Sequence, residues 1–205
     1  MSEISKDATI VVAGAGSIGC YVGGRLVEAG RKVKFLGRER IKTELAAHGL
    51  SLTDFDANNH TIPADSIDMA VAPDVLAEAD IVLVTVKSGA TLEIGADIET
   101  YAKPGAIIVS LQNGVTNVQK LEGVVGDRRV VAGMVPFNVA QLGEGRFHQG
   151  TSGEIVIAAG IDGLQEVLSA PPIAVEASDD MPSVMWGKLL LNLNNALNAL
   201  SGLPL

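Results

Sequence analysis

Residues 9–19 read TIVVAGAGSIG, a β-branched apolar run that leads into the glycine pattern G-x-G-x-x-G. The pattern lies between a predicted strand and a predicted helix over 17–29, which is the setting that a dinucleotide-binding loop requires. In that setting Gly14 permits a tight turn, Gly16 lets a pyrophosphate approach the backbone, and Gly19 lets the helix pack against the strand. We therefore predict that a dinucleotide binds along the loop formed by Gly14, Ala15, Gly16, Ser17, Ile18 and Gly19.

Strand and helix signals continue to alternate along the chain, and the predicted strands are apolar on both faces. Such strands are typical of a parallel sheet covered by helices on both sides. We predict an α/β fold of the Rossmann-like type, with a mostly parallel sheet and flanking helices. A β-hairpin is predicted over 50–71, and a glycine-rich loop between 134 and 154. The predicted strands are 8–13, 33–36, 81–86, 106–111, 129–134 and 154–158, and the predicted helices are 17–29, 39–47, 75–79, 91–101, 116–122 and 182–200.

The composition excludes several classes of protein. With 15 basic and 24 acidic residues and a net charge of −9, the chain lacks the excess of Lys and Arg on which nucleic-acid binding depends. A single cysteine, Cys20, cannot form an internal disulfide, which favours a reducing compartment. The uncharged stretches 8–24 and 189–205 are shorter than about 18 residues and contain Gly or Asn, so no membrane span is predicted. We expect a cytoplasmic protein with no nucleic-acid partner, no membrane partner and no metal site.

The end of the second strand indicates which dinucleotide is bound. An acidic residue there would bind the ribose 2′-hydroxyl, whereas an arginine would accept a 2′-phosphate. Residues 31–42 contain six basic residues and one acid, Glu39, and Arg38 follows the strand. This pattern favours NADP or NADPH as the cofactor, with Arg38 at the 2′-phosphate. The alternative is that these residues are ordinary solvated charges around the start of a helix.

Polar residues also follow the later strands and form a stripe on the last helix. Lys87 comes directly after the predicted strand 81–86, and Asn113 just after the predicted strand 106–111, at the sheet edge where ligands bind in such folds. Lys188, Asn192 and Asn195 are spaced i, i+4 and i+7, which places them on one face of a helix. A lysine is protonated at neutral pH and can donate a proton to a carbonyl oxygen that gains charge. Each of these residues could instead be a solvated polar side chain.

Five patterns taken together resemble the ketopantoate reductase (2-dehydropantoate 2-reductase) family. They are the glycine pattern at 14–19, Val84-Thr85-Val86-Lys87, Ser110-Leu111-Gln112-Asn113-Gly114, His148-x-Gly150-x-x-Gly153 and Trp186-Gly187-Lys188-x-x-x-Asn192. The resemblance implies NADPH-dependent reduction of 2-dehydropantoate to (R)-pantoate, a step toward pantothenate and coenzyme A. It implies Lys188 as the proton donor, Asn192 as a substrate-binding amide, and Lys87 and Asn113 at the cofactor and substrate crevice. Asn195 lies one residue short of the family's next helix amide, where this sequence has Ala196.

The resemblance also implies two domains. Residues 1–178 are predicted to form the NADP-binding domain, and residues 179–205 the first helix of an all-helical substrate and dimerisation domain. The family's helical domain continues well beyond that helix, whereas this sequence stops at Leu205. The chain is therefore either a fragment or a truncated family member. Residues 135–140 lie where the family approaches the nicotinamide, but no single residue is assigned there.

Two other interpretations stay open. The chain could be an NADP-binding module that turns nothing over, because part of the substrate crevice would lie beyond Leu205. It could also reduce a different 2-keto acid. The expected partner is a small 2-keto acid in either reductase interpretation, and both a monomer and a homo-oligomer are compatible with the sequence.

Overall fold

The apolar run at residues 9–13 forms the first strand, near the middle of an eight-stranded sheet. The computed structural model describes residues 4–202, except for the side chains of residues 195–197. The strands, in chain order, are β1 (Thr9–Ala13), β2 (Lys32–Leu36), β3 (Leu50–Asp54), β4 (His60–Ile62), β5 (Asp68–Ala70), β6 (Ile81–Val84), β7 (Ile107–Ser110), β8 (Val130–Met134), β9 (Val139–Gly143), β10 (Arg146–Gln149), β11 (Ile155–Ala158) and β12 (Val175–Ser178).

The large sheet has the strand order β12-β11-β8-β7-β6-β1-β2-β5. All pairs from β8 through β5 are parallel, and β11 pairs antiparallel with β8 and parallel with β12. The predicted α/β fold with a mostly parallel sheet is therefore confirmed. The helices are α1 (Ser17–Glu28), α2 (Glu39–His48), α3 (Thr91–Tyr101), α4 (Asn117–Glu122), α5 (Leu164–Leu168) and α6 (Met181–Ser201), with 3-10 turns at Ala64–Ser66, Pro73–Glu78 and Ser88–Ala90.

Successive residues of β1 contribute to two separate cores, one on each face of the sheet. Ile10 and Val12 join the core that contains Tyr21 of α1, while Val11 belongs to the core that contains Ile98 of α3. Because side chains alternate along a strand, a strand that is covered on both faces must be apolar throughout. This requirement explains why β1 and its neighbours appear in the sequence as short unbroken apolar runs.

A smaller sheet packs against α1, and part of it differs from the prediction. Its strand order is β4-β3-β10-β9, with β3 and β4 antiparallel and β10 parallel to β3. The expected hairpin over 50–71 is present as β3 and β4, but β5 lies in the large sheet beside β2. The prediction of a glycine-rich loop between 134 and 154 is wrong, since that range contains the hairpin β9–β10. Strand β10 of the hairpin pairs with β3, almost a hundred residues earlier in the chain. Because this pairing is long-range, no local sequence pattern predicts it.

Two further predictions need correction. The short helix expected at 75–79 is a 3-10 turn over Pro73–Glu78, and α5 and β12 were not predicted. The final helix begins at Met181, where the carboxylate of Asp180 accepts a hydrogen bond from Ser183 N at 3.1 Å. Within the described residues part of its apolar face is uncovered, since Leu193 and Leu200 are 50% and 86% exposed.

The buried Arg25 connects α1 to the smaller sheet. Its guanidinium is 1% exposed and donates to Glu28 Oε2 at 2.9 Å, to the Tyr21 hydroxyl at 3.1 Å and to Asn58 O at 2.6 Å, while Asp54 Oδ2 lies 3.6 Å away. A buried charge is tolerated only when it is paired and hydrogen-bonded in this way. Arg25 therefore fixes the turn between β3 and β4 against the helix that follows the glycine loop.

Asp80 connects the starts of β1, β6 and β7, at the amino ends of these parallel strands. Its carboxylate accepts hydrogen bonds from Thr9 N at 2.8 Å and Lys103 Nζ at 2.7 Å, and its carbonyl accepts from Ile107 N at 2.9 Å. Partial burial raises the pKa of Asp80, but the bonds from Lys103 and Thr9 outweigh it, so the pKa lies below its ordinary value.

We predict that Asp80→Asn lowers the free energy of unfolding by roughly 1 kcal/mol at neutral pH, because the lost bonds are charge-assisted but partly exposed. A carboxyl whose pKa is depressed by folding contributes stability above its unfolded pKa of about 4, and this contribution is lost as the pH falls through the folded pKa. Urea unfolding of both proteins at pH 7 and pH 3 measures this, with Asp127→Asn at an exposed aspartate as the control. An Asp80→Asn protein as stable as wild type at pH 7 would contradict the assignment.

Candidate functional site

The glycine loop is held against the end of β6 by contacts that leave no room for a side chain at Gly14 or Gly19. Gly14 has φ +116°, and a Cβ there would lie 2.7 Å from Val86 N. A Cβ at Gly19 would collide with the carbonyl oxygen of Gly14, which already accepts a 2.7 Å hydrogen bond from Thr85 Oγ1. A Cβ at Gly16, in contrast, would meet no atom within 4 Å. The loop is therefore closed on its protein side and open at Gly16.

The open side of the loop borders a cavity of about 700 Å³. This volume is within the range of about 300–1,000 Å³ that small-molecule and cofactor sites occupy. The N-terminus of α1 faces this region, and the backbone N–H groups of a first helical turn favour an anion such as a pyrophosphate. The cavity is lined by Gly14, Ala15, Gly16, Ser17, Leu36, Gly37, Arg38, Arg40, Ile41, Val71, Pro73, Thr85, Val86, Lys87, Ala90, Glu93, Ile94, Asp97 and Gln141.

The basic segment at residues 31–42 has two different roles. Arg31 donates to the carbonyl oxygens of Glu166 and Val167 at 3.0 Å, and Lys34 pairs with Glu78 and Asp68, so these two cations are engaged in the fold. Arg38 and Arg40 line the cavity, and Arg40 also pairs with Glu44 at 3.4 Å. The position of Arg38, directly after the carboxyl end of β2, is the one at which a side chain meets the ribose of a bound dinucleotide.

A buried hydrogen-bond network fixes the segment that follows β7. Gln112 Nε2 donates to Thr91 Oγ1 at 2.8 Å, and Asn117 Nδ2 donates to Ser88 Oγ at 2.9 Å and to Asn113 O at 2.7 Å. Gln112, Thr91 and Asn117 are all buried. The network therefore joins the segments after β6 and β7 and leaves the exposed side chain of Asn113 at the sheet edge.

A second, smaller cavity lies at the carboxyl ends of β7 and β8, beside α6. It holds about 10 Å³, room for roughly one water molecule. Lys188 Nζ donates to the carbonyl oxygen of Pro136 at 2.8 Å, and burial lowers the pKa of Lys188 from its ordinary value. The cavity is lined by Gln112, Asn113, Gly114, Gly133, Met134, Val135, Met185, Lys188, Leu189 and Asn192.

The predicted site residues fall into two groups at one edge of the sheet. Gly14–Ser17, Arg38 and Lys87 line the large cavity, and Asn113, Asn192 and Lys188 line the small one. Ile18 and Gly19 lie in α1 itself, and Gly19 acts through packing. The side chain of Asn195 lies outside the described residues. Because β2, β1, β6, β7 and β8 are consecutive neighbours, their carboxyl ends place the two cavities side by side along the same edge.

Several residues of the site were not singled out from the sequence. The loops are held in place by hydrogen bonds from Thr85, Gln112 and Asn117. Thr85 and Gln112 lie within motifs quoted above, close to Lys87 and Asn113, and that proximity was the available signal. Pro136 contributes only a backbone carbonyl, which no residue pattern reveals. Cys20 is excluded as a nucleophile, because burial, with Glu44 nearby, raises the pKa of its thiol to about 12. Among the described residues no group of three or more metal-ligating side chains occurs, and no helix has the length and apolar character to cross a bilayer.

Comparison with known proteins gives consistent matches. The family model described as ketopantoate reductase PanE/ApbA matches residues 10–161. A 2-dehydropantoate 2-reductase of Halobacterium salinarum is 28% identical over 202 residues, covering 94% of this chain and 65% of the relative. One from Caulobacter vibrioides is 29% identical over 154 residues, covering 72% and 53%. A PanE/ApbA family ketopantoate reductase structure from Ralstonia eutropha superposes with a TM-score of 0.86 at 31% identity, covering 96% and 65%. The chain thus spans about half to two thirds of the length of these relatives.

We predict stability losses of different size for two glycines of the loop. Gly19→Ala should lower the free energy of unfolding by about 2–3 kcal/mol, because the added methyl group collides with backbone that cannot move freely. Gly16→Ala should cost less than about 1 kcal/mol, since its Cβ enters open space and only the helix N-cap preference changes. Thermal and urea unfolding of both variants measure the difference. Equal stability losses would show that the loop is not packed as described.

Proposed function

The chain belongs to the ketopantoate reductase family, and from that premise we propose that it carries the NADPH-binding part and the proton donor of a 2-dehydropantoate 2-reductase. The product of the proposed reaction is (R)-pantoate, an intermediate on the way to pantothenate and coenzyme A. The observation that carries the proposal is the position of Lys188. Its partly buried ammonium group lies with Asn113 and Asn192 at the same sheet edge as the open glycine loop.

The large cavity fits a nicotinamide dinucleotide. Gly16 is open where a pyrophosphate would approach the backbone, and Arg38 lies where a 2′-phosphate would extend from the ribose. Lys87, which follows β6, also lines the large cavity. In the strand order it lies between Arg38, after β2, and the β7–β8 end of the sheet where Lys188 lies. When bound, the reduced cofactor supplies the hydride for the carbonyl carbon of the keto acid. The cofactor of the proposed reaction is accordingly NADPH, and NADP is released.

Lys188 is proposed as the group that protonates the carbonyl oxygen. Hydride addition to a ketone places negative charge on that oxygen, and an ammonium within hydrogen-bond distance can neutralise it by donating a proton. Burial lowers the pKa of Lys188. A lower pKa makes the ammonium group a stronger acid, so it gives up its proton more readily near neutral pH. The carbonyl oxygen of Pro136 accepts from Nζ and holds the ammonium at the mouth of the small cavity.

The substrate is proposed to be a small 2-keto acid held by amides. Asn113 and Asn192 line the small cavity with Lys188, and an amide can both donate to a carboxylate and accept from a hydroxyl group. Asn195, on the same helix, is proposed as a further substrate-binding residue. We also propose the domain division at residue 178, with 1–178 binding the cofactor and 179–205 beginning the helical domain.

A binding module without turnover is the alternative, because the chain spans only part of the length of its relatives. Two measurements on the same preparation separate the two functions. NADPH fluorescence reports binding, and the loss of NADPH absorbance with 2-dehydropantoate reports turnover. Binding with no oxidation by any 2-keto acid would select the module, whereas oxidation by 2-dehydropantoate supports the reductase.

We predict that Lys188→Met abolishes turnover while NADPH binding survives, because methionine keeps most of the side-chain volume and removes the transferable proton. The expected loss of kcat is about 100-fold or more, the usual contribution of a general acid. Lys120→Met, at an exposed lysine of α4, is the control and should keep wild-type turnover. A Lys188→Met protein with wild-type turnover would exclude the lysine as the acid.

If Lys188 is the proton donor, kcat must depend on pH in a defined way. The protonated form of Lys188 is the active one, so kcat should fall as the pH rises through its pKa. Since burial lowers that pKa, the fall should have its midpoint below the ordinary lysine value of about 10.4. The alkaline limb should be absent from the residual activity of Lys188→Met, and its persistence there would assign it to another group.

We predict that Arg38→Asp weakens NADPH binding by about tenfold or more and leaves NADH binding within about twofold, since only NADPH carries the phosphate that the guanidinium would contact. Fluorescence titration with both cofactors measures the ratio. Lys32→Asp is the matched control, because it makes the same charge change at the other end of β2, where the side chain is exposed. Equal weakening of both cofactors would contradict the role of Arg38.

A further inference from the structure

The motif His148-x-Gly150-x-x-Gly153 has no role in the site described above, yet it borders that site. Gly153 has φ +131°, a backbone conformation that side chains rarely permit, and a Cβ there would lie 2.6 Å from Cγ and 2.8 Å from Cβ of Pro136. The ring of Pro136 therefore occupies the space that any other residue at 153 would fill. The position of Pro136 depends on the absence of a side chain at Gly153.

The residues before Gly153 contact the same piece of backbone from a second direction. Asn138 N donates to Thr151 Oγ1 at 3.0 Å, and the buried Gln149 donates through Nε2 to Thr151 O at 2.9 Å. Residues 151–153, which we call the support segment, thus contact Pro136 through one end and Asn138 through the other. Phe137, between them, is buried in the core.

The backbone held in this way is the one that receives Lys188. The carbonyl oxygen of Pro136 accepts the 2.8 Å hydrogen bond from Lys188 Nζ. A displacement of Pro136 would move this oxygen directly, because the ring and the carbonyl belong to one residue with a fixed φ. The support segment and the ammonium group are therefore connected through a single residue.

We infer that Thr151 and Gly153 are positioning residues for the proton donor, since they fix the Pro136 carbonyl that holds the Lys188 ammonium at the small cavity. The inference rests on the proposed function for the role of Lys188 in turnover, but the contact itself does not depend on turnover. Neither residue lines either cavity, so the inference places their effect on activity in the position of Pro136 and not in direct contact with a ligand.

This role has a signature that a simple turn would lack. A carbonyl oxygen that accepts from an ammonium favours the charged form, so removing the bond lowers the pKa of the amine. The proton donor would also lose its fixed position relative to the substrate. Disturbing the support segment should therefore lower kcat and shift its alkaline limb to lower pH, while NADPH binding at the large cavity stays unchanged.

Gly153→Ala with Gly150→Ala as its control tests the steric step. Gly150 belongs to the same exposed turn, but a Cβ there would meet nothing within 4 Å, and its N–H bond to Asn138 O survives in alanine. Gly153→Ala should lower kcat by about tenfold or more, the cost of a misplaced catalytic group, with the Kd for NADPH unchanged. Gly150→Ala should behave as wild type. Equal effects of the two changes on kcat would overturn the inference.

Thr151 provides a second series, which applies even if Gly153→Ala fails to fold. Thr151→Val removes the acceptor for Asn138 N at nearly constant volume, and Thr151→Ser restores it. Thr151→Val should lower kcat severalfold and shift the alkaline limb downward, and Thr151→Ser should recover both. A serine variant as impaired as the valine variant, or a valine variant with the wild-type pH profile, would overturn the inference.

An NMR titration separates this inference from the proposed function. In protein labelled with 13Cε and 15Nζ lysine, the Lys188 signal is identified by its loss in Lys188→Arg, and its pKa is read without substrate. We expect a lower pKa in Gly153→Ala and Thr151→Val than in wild type and the two control variants. Wild-type pKa values in both variants would overturn the inference even if the chain is a reductase. A shifted pKa in a chain without turnover would uphold the contact and reject the proposed reaction.

Discussion

The close contact between the glycine loop and β6 is the constraint on which the remaining structure depends. Gly14 and Gly19 have no room for a Cβ, and Thr85 donates to the Gly14 carbonyl, so α1 must leave β1 at a fixed angle. That angle directs the N-terminus of α1 toward the large cavity. It also presents the opposite side of α1 to the smaller sheet, where the buried Arg25 secures the β3–β4 turn.

The candidate site depends on this arrangement because most of its residues follow the carboxyl ends of neighbouring strands. Parallel strands deliver their following residues to one edge, and the order β2-β1-β6-β7-β8 places Arg38, Lys87 and Asn113 along it. Helix α6 crosses the end of this row and adds Lys188. The two cavities therefore occupy adjacent parts of one edge: the large one has room for an extended anion, and the small one is lined by Asn113, Asn192 and Lys188. In the proposed reaction, hydride and proton would reach the keto acid from these two sides.

Much of this arrangement was predictable, because it depends on local patterns. The glycine loop, the strand ends at Lys87 and Asn113, and the stripe of Lys188 and Asn192 follow from spacing and strand order. In the smaller sheet only the β3–β4 hairpin was predictable, since β10 pairs with β3 almost a hundred residues away and has no long apolar run. Helical periodicity shows which face of α6 is apolar but not what lies against it. The role of the Pro136 carbonyl was not predictable, because a backbone atom has no residue type; the sequence indicated only the range 135–140.

In the proposed arrangement one bound cofactor extends from Arg38, across the open glycine loop, to the sheet edge beside Lys188. A crystal structure of the chain with NADP bound tests it most directly. We expect the pyrophosphate over Gly16 at the start of α1, the 2′-phosphate against Arg38, and the nicotinamide ring at the carboxyl ends of β7 and β8, facing Lys188. A dinucleotide bound elsewhere, or one whose nicotinamide lies beside Arg38 and whose adenine faces Lys188, would contradict it.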